Sequence, residues 1–203
     1  MARTIQFKSI FFIILLLTGC GDSPQLPRLA GDAVILAFGD SLTHGTGARE
    51  GESYPAVLGK LSGRKVINAG VPGEVSADGL QRLPALLDQH QPDLLILCHG
   101  GNDILRKKNL AHMAANVKDM IILARNKDIP VILLAVPNFG LFLSPAEEYG
   151  DIADATGVYF IDDLIPDVLA DNAMKSDPVH PNKNGYRVIA QTLYQTLQSA
   201  GSL

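Results

Sequence analysis

Three short segments, far apart in the chain, carry side chains that together could perform acyl transfer. Ser41 lies in a Gly-Asp-Ser-Leu segment, Asn102 lies in a Gly-Gly-Asn-Asp segment, and Asp177 and His180 lie in an Asp-Pro-Val-His segment. Acyl transfer needs a nucleophile, a base, a group that orients the base, and N–H donors for the oxyanion. Serine, histidine, aspartate and asparagine are residue types that suit these roles.

Ser41 is the candidate nucleophile, and His180 is the candidate base because imidazole titrates near neutral pH. Asp177 precedes His180 by three residues, so one turn can bring its carboxylate to the second ring nitrogen and fix the tautomer. Each segment also has a simple structural interpretation, since Ser and Asp often cap helices. A bare Asp-x-x-His is more often a polar loop, so it is the combination that favours catalysis.

These segments together resemble the motifs of SGNH (GDSL-type) hydrolases, and within them the small bacterial esterases that act as thioesterase, arylesterase and lysophospholipase. The resemblance implies an oxyanion hole formed by the N–H of Ser41, the N–H of Gly73 and the side-chain amide of Asn102. Gly73 is assigned by matching the glycine-rich segment after the predicted second strand to the family's second glycine segment. Gly70, in the same segment, remains the alternative donor.

Four further polar residues, Asp40, His44, His99 and Asp103, lie within or near these segments. Asp40 and Asp103 are expected to bond the neighbouring backbone and stiffen the two turns. His44 is close to Ser41 in sequence, but the downstream Asp-x-x-His argues against it as the base. His99 departs from the family pattern, because relatives often carry a less basic residue there, and the direction of its effect on the site stays open.

The elements around these segments predict how they are positioned. Strands are predicted at 33–38, 65–68, 93–99, 130–136 and 158–161, and most of them contain the apolar runs typical of strands buried on both faces. Helices are predicted at 53–61, 77–89, 110–126, 145–155, 166–170 and 183–199. This alternation predicts an α/β fold, a flavodoxin-like three-layer α/β/α sandwich with a five-stranded parallel sheet. The resemblance implies the strand order 2-1-3-4-5, and polar groups that follow successive strands would then converge at one sheet edge.

Composition narrows the classes of partner. The 203-residue chain is 47% hydrophobic and has a formal net charge of −4 without a basic block, so nucleic acid is not an expected partner. The two cysteines form no CxxC pair, and no HExxH segment is present, so we expect neither a metal site nor a cofactor. Cys98, within a predicted strand, is expected to be a small buried hydrophobic residue.

The N-terminus has the pattern of a secretory signal. Arg3 and Lys8 precede the eight apolar residues 10–17, a run too short to span a membrane. The Leu-Thr-Gly-Cys segment that ends at Cys20 resembles the bacterial lipobox, which implies cleavage before Cys20 and lipidation of its thiol. The alternative is an ordinary secretory signal with a chance cysteine.

The chain is therefore divided into a lipoprotein signal peptide at 1–19, a tether at 20–32 and a hydrolase domain at 33–203. We expect localisation in the bacterial cell envelope, with the protein anchored to a membrane through Cys20 and facing the periplasm or the exterior. Which membrane receives the anchor, and the oligomeric state, are left open.

The leading functional hypothesis is a serine esterase that hydrolyses fatty-acyl esters, thioesters or lysophospholipids through an acyl-enzyme intermediate. The alternative within the family is a deacetylase of O-acetylated cell-wall or polysaccharide sugars. A catalytically silent binding lipoprotein and a metal-dependent hydrolase that uses Asp40, Asp177 and His180 are less favoured. The apolar loop 138–143, which follows the fourth strand, either walls an acyl groove, with Phe142 as the test residue, or closes the core.

Overall fold

The computed structural model describes residues 26–139 and 143–203, and its centre is a five-stranded parallel sheet. In chain order the strands are β1 (Val34–Gly39), β2 (Lys65–Gly70), β3 (Leu94–Cys98), β4 (Val131–Leu134), β5 (Pro137–Asn138), β6 (Ser144–Pro145) and β7 (Tyr159–Ile161). β5 and β6 form a separate two-stranded sheet. The helices are α1 (Ser41–His44), α2 (Tyr54–Ser62), α3 (Ser76–His90), α4 (Gly101–Leu105), α5 (Leu110–Arg125), α6 (Glu147–Thr156), α7 (Leu164–Ala170) and α8 (Lys183–Ser199). The sheet order is β2-β1-β3-β4-β7, which confirms the predicted α/β fold and strand order.

The register of the sheet brings the polar segments to one edge. Gly39, the last residue of β1, pairs with Gly70 at the end of β2 and with Cys98 at the end of β3. The carboxyl ends of these three strands are therefore level. The turns that follow them begin side by side, as expected for a ligand site in an open α/β sheet.

The core lies on both faces of the sheet. The side chains of β3 and β4 are buried throughout, which explains their uninterrupted apolar sequences. Helix α8 packs against α2 and α7, while α5 packs against α3 and α6. Both α5 and α8 bury one apolar stripe at helical spacing, as in Ile189, Leu193 and Leu197 of α8.

Two predicted helices begin two residues away from their predicted start. The helix predicted from Pro145 begins at Glu147, because Ser144–Pro145 pairs antiparallel with Pro137–Asn138. The helix predicted from Pro166 begins earlier, at Leu164, and places Pro166 in its first turn, where its missing N–H costs no helical hydrogen bond.

The predicted tether is wrong over the part that the structure describes. Leu26 and Leu29 are buried in the core, the N–H of Leu29 donates to the carbonyl of Ser202 (2.8 Å), and Arg64 donates to the carbonyl of Leu29 (3.2 Å). Residues 26–32 thus belong to the folded domain, because burial of the apolar side chains of Leu26 and Leu29 is favoured over their exposure to water. The predicted signal peptide and Cys20 lie outside the described residues, and within the described part no helix is long and apolar enough to cross a membrane.

Candidate active site

The turn after β1 presents Ser41 at the edge of the sheet. Asp40 caps α1 by accepting the N–H of Leu42 (3.0 Å), and α1 ends at Gly45, which has a left-handed φ of 100°. Gly39 allows this sharp turn because a Cβ there would collide with the carbonyl oxygen of Cys98. Ser41 is thus the first residue of a short helix whose start is fixed by its neighbours.

The structure brings the serine, the histidine and the aspartate together. Nε2 of His180 lies 3.0 Å from Oγ of Ser41, and Nδ1 of His180 lies 2.8 Å from Oδ2 of Asp177. A base that contacts the nucleophile with one nitrogen and a carboxylate with the other has the arrangement of a catalytic triad. His44 is not part of it, since its side chain makes no hydrogen bond among the described residues, whereas Ser41 is paired with His180.

The Asp177–His180 loop is held by its own hydrogen bonds. Oδ1 of Asp177 accepts the backbone N–H groups of Val179 and His180, both at 2.9 Å. Partial burial acts to raise the pKa of Asp177, but the hydrogen bonds from Val179 and His180 outweigh it and hold that pKa below its usual value. The carboxylate is therefore ionised at neutral pH and can stabilise an imidazolium.

Asn182 attaches this loop to α8 and to the preceding chain. Its side-chain oxygen accepts from the N–H groups of Asn184 and Gly185, and its amide donates to the carbonyls of Ala173 and Lys175. Ser176 closes the loop by donating its N–H to the carbonyl of His180 (2.9 Å). The imidazole is thus carried on a segment with little freedom to move.

Asn102 lies in the turn after β3, where α4 begins, and Asp40 orients its side chain. The amide Nδ2 of Asn102 donates to Oδ2 of Asp40 (3.2 Å), so the nitrogen is the atom that faces the carboxylate. An asparagine amide has two N–H groups, and the second one remains available to a ligand. Burial raises the pKa of Asp40, while the hydrogen bonds from Leu42 and Asn102 oppose that rise.

The structure distinguishes the two glycines considered as oxyanion donors. The N–H of Gly70 donates to Oδ1 of Asn68 (3.0 Å), so it is already used. In the described part of the chain no acceptor lies within hydrogen-bond distance of the N–H of Gly73, and Gly73 has a φ of 79°, which favours glycine. Arg106, at the end of α4, donates to the carbonyl of Gly73 (2.8 Å). The geometry thus favours Gly73 over Gly70.

Asp103 does not have the predicted local role. Its two oxygens accept the N–H and the hydroxyl of Ser76 (2.7 and 2.9 Å), at the start of α3, and Asn116 donates to the same hydroxyl. Asp103 therefore links the turn after β3 to a different helix, and it does not stiffen its own turn as expected.

Cys98 is fully buried, and burial raises the pKa of its thiol well above the usual value.

Sequence reasoning missed the partners of His99. This residue is fully buried, Nε2 lies 3.0 Å from Glu74, and Nδ1 accepts the N–H of Gly100 (2.9 Å). Glu74 also accepts a hydrogen bond from the guanidinium of Arg82 (2.6 Å). No sequence pattern pointed to this cluster, because Glu74, Arg82 and His99 are separated along the chain and meet only in the folded structure.

Clefts with mixed polar and apolar linings and several exposed apolar residues surround the site. One cleft of about 590 Å³ is lined by His44, Arg49 and Asn68, and Arg49 also borders a second cleft of about 600 Å³ next to Asn182. Val71 and Leu105, on the segments that carry Gly73 and Asn102, are 39% and 44% exposed. Phe139 and Leu143 of the predicted acyl wall pack against the core, whereas Phe142 lies outside the described residues. In the described ranges no group of three or more His, Cys, Asp or Glu side chains is arranged to hold a metal ion.

The chain is similar to known esterases in sequence and in fold. Residues 37–188 match the model of the GDSL-like lipase/acylhydrolase family. Esterase TesA of Pseudomonas aeruginosa is 30% identical over 91% of this chain and 97% of its own length, and the Escherichia coli thioesterase 1/protease 1/lysophospholipase L1 is 31% identical over 84% and 86%. The crystal structure of the psychrotrophic esterase EstA from Pseudoalteromonas sp., inhibited by monoethylphosphonate, superposes with a TM-score of 0.72 at 25% identity, over 83% of this chain and 98% of that one.

Proposed function

The chain belongs to the GDSL-like lipase/acylhydrolase family and is a serine ester hydrolase, and we propose on this basis that Ser41, His180 and Asp177 are its catalytic residues. The observation that carries the assignment is the distance of 3.0 Å between Ser41 Oγ and His180 Nε2, with Asp177 on the other ring nitrogen. No other serine of the described residues has a histidine nitrogen within hydrogen-bond distance of its hydroxyl.

In the proposed reaction, Nε2 of His180 takes the proton of Ser41 as Oγ attacks the acyl carbon. The tetrahedral intermediate collapses when His180 gives that proton to the leaving alcohol or thiol, and the acyl group stays on Ser41. Water then attacks the acyl-enzyme by the same route, which releases the acid and restores the serine. Asp177 stays ionised throughout and stabilises the imidazolium that forms twice in each cycle.

The oxyanion would be stabilised by the N–H of Ser41, the N–H of Gly73 and the free N–H of Asn102. Two features support this set: Asp40 holds the Asn102 amide in place, and Arg106 holds the Gly73 carbonyl. Donors that are already oriented lower the barrier because they need no rearrangement when the charge develops.

The substrates are carboxylic esters and thioesters, and fatty-acyl esters and lysophospholipids fit the rim of the site best. Val71 and Leu105 offer exposed apolar surface on the two segments that carry oxyanion donors. Arg106, Lys107 and Lys108 are exposed directly after Leu105 and could pair with the phosphate of a lysophospholipid. One observation favours deacetylation of polysaccharides as a second candidate, namely the polar side chains of Arg49, Glu52 and Asn184 that line the cleft next to Asn182.

A substrate panel tests the two candidates. Residues 26–203 would be assayed on p-nitrophenyl acetate, butyrate, octanoate and palmitate, on lysophosphatidylcholine, and on an O-acetylated glycan. We expect kcat/KM to rise from acetate to octanoate and lysophospholipid to be hydrolysed. Acetate as the best p-nitrophenyl ester, together with release of acetate from the glycan, would support deacetylation instead.

We also propose that the protein is anchored in the bacterial cell envelope through a lipidated Cys20, facing the periplasm or the exterior. The lipobox-like Leu-Thr-Gly-Cys segment after an apolar run supports this proposal. A diacylglyceryl group supplies the two acyl chains that stable anchoring requires. Because Cys20 is six residues from Leu26, which is packed in the core, the anchor would lie within about 20 Å of the domain.

A further inference from the structure

Arg82, Glu74 and His99 form a partly buried cluster that contacts the two segments that carry Gly73 and Asn102. Nε and Nη2 of Arg82 donate to the two oxygens of Glu74 (2.8 and 2.6 Å), and Nε2 of His99 lies 3.0 Å from Oε2 of Glu74. We propose that these three are positioning residues, which hold the N–H of Gly73 and the amide of Asn102 in fixed positions relative to each other. The inference rests on the proposed function, because it assigns the donors' roles as given there.

The first contact of the cluster is with the loop that carries Gly73. Glu74 follows Gly73 directly, and its N–H donates to the carbonyl of Val71 (3.1 Å), which closes a turn around Gly73. Arg82 also donates to the carbonyl of Ala69 (3.1 Å), so one guanidinium holds the chain on both sides of that turn. A shift of Glu74 would therefore move the N–H of Gly73.

The second contact is with the turn that carries Asn102. Nδ1 of His99 accepts the N–H of Gly100, so the ring proton is on Nε2 and is donated to Glu74. Gly100 has a left-handed φ of 108°, and the hydroxyl of Tyr149 donates to the carbonyl of His99 (2.6 Å). The same imidazole thus fixes the backbone just before Asn102 and the side chain just after Gly73.

The surrounding residues leave space for this imidazole in particular. A Cβ at Gly79 would collide with the His99 ring, so the glycine at this position of α3 makes room for it. Arg82 stacks over the ring of Phe38, 4.3 Å from its centroid, and that ring lies 5.7 Å from the His99 ring. The Arg82 side chain is 27% exposed and the Glu74 side chain 7% exposed, so the ion pair covers the imidazole from the solvent side. This packing fixes the imidazole between the two segments.

Glu74→Gln is the direct test, measured on residues 26–203 with p-nitrophenyl octanoate. The amide keeps the shape of the carboxylate but cannot accept hydrogen bonds from Arg82 and His99 on both atoms. We expect kcat to fall about 10- to 100-fold while KM changes by less than about twofold, because oxyanion donors act mainly in the transition state. Active sites are counted by titration with a p-nitrophenyl phosphonate, so that inactive molecules do not enter kcat.

Asp88→Asn is the matched control. Asp88 also accepts a 2.6 Å ion-pair hydrogen bond, from Lys127, but both side chains are exposed and lie away from the site. Loss of this carboxylate should leave kcat and KM unchanged. A similar fall of kcat in both variants would show a general effect of losing an ion pair and would overturn the inference.

Two substitutions of His99 test the same inference independently of the Glu74 variant. Gln can place an N–H near the position of Nε2 and so donate to Glu74, whereas Asn can replace only the acceptor at Nδ1. We expect His99→Gln to retain most of kcat and His99→Asn to lose about as much as Glu74→Gln. This pair decides the question if Glu74→Gln does not fold.

A double variant distinguishes positioning from a merely structural effect. If Glu74 acts through the oxyanion donors, Glu74→Gln should lower kcat by a smaller factor in an Asn102→Ala background than in the wild type. Full additivity, or an unchanged kcat in Glu74→Gln, would overturn the inference. Failure of the proposed function would be seen elsewhere, as turnover that survives Ser41→Ala.

Discussion

Ser41 and His180 are 139 positions apart in the chain, yet their reacting atoms are separated by one hydrogen bond. The combination of separate segments, and its resemblance to the motifs of a known family, selected these two residues as well as Asp177 and Asn102. The segments were not sufficient to show that Asp40 holds the Asn102 amide, because those side chains are 62 positions apart and meet only when β1 and β3 pair. For the same reason the partner of Asp103 was predicted wrongly.

Asn102→Ala tests the role of the amide at this scale. Loss of an oxyanion donor should lower kcat by about 10²- to 10³-fold with little change in KM, because the free N–H acts on charge that develops only in the transition state. Steady-state kinetics on p-nitrophenyl esters would measure this, with Asn126→Ala at the end of α5 as the control. A change confined to KM would make Asn102 a residue that binds substrate.

At the scale of elements, every strand of the main sheet was predicted, and uninterrupted apolar runs identified β1, β3 and β4. Such runs are required where both faces are covered, so composition alone locates them. The β5–β6 pair was not predicted, because two-residue strands are too short to show a periodic pattern. The link between α3, the Gly73 loop and the end of β3 was also missed, since it depends on how Arg82, Glu74 and His99 meet in three dimensions.

This link between elements predicts a pH dependence of stability. Burial acts to raise the pKa of Glu74, but hydrogen bonds from His99 and Arg82 and the charge of Arg82 lower it from 4.5 to about 2. A depressed pKa means that Glu74 stabilises the folded state fully above pH 4.5, and that this contribution is lost as the pH falls towards 2.

Urea unfolding of the wild type and Glu74→Gln would show this effect. The free energy of unfolding should differ most at pH 6, and the difference should shrink at pH 3, where part of the wild-type advantage is gone. Asp88→Asn, which removes an exposed carboxylate, serves as the control. A difference between wild type and Glu74→Gln that is constant from pH 6 to pH 3 would contradict the pKa assigned to Glu74.

At the scale of the whole molecule, the two ends of the sheet have different roles. Ser41, Gly73 and Asn102 follow the carboxyl ends of β1, β2 and β3. Residues 26–32 lead into the amino end of β1, where Leu29 bonds to Ser202 near the C-terminus. A lipid on Cys20 would therefore join the domain at the edge opposite the catalytic edge, so anchoring and catalysis should be separable.

Cys20→Ser should move the full chain from the membrane fraction to the soluble fraction. Its kcat/KM on a water-soluble ester should stay within about twofold of the wild type, because residues 26–32 lead into the amino end of β1, whereas Ser41 follows its carboxyl end. Cell fractionation measures the move from the membrane to the soluble fraction. The mass of the N-terminal peptide shows whether lipid is attached. Unchanged partitioning, or an N-terminal peptide without lipid, would refute anchoring through Cys20.

The catalytic assignment of Ser41 is tested most directly by a covalent label. Residues 26–203 and the Ser41→Ala variant would be treated with a p-nitrophenyl phosphonate, and then analysed by intact and peptide mass spectrometry beside ester turnover. We predict one phosphonyl group for each wild-type chain, located on Ser41, with neither label nor turnover in a Ser41→Ala protein of unchanged circular dichroism. A label on another residue, or a folded Ser41→Ala protein that hydrolyses esters at a rate near the wild type, would contradict the account.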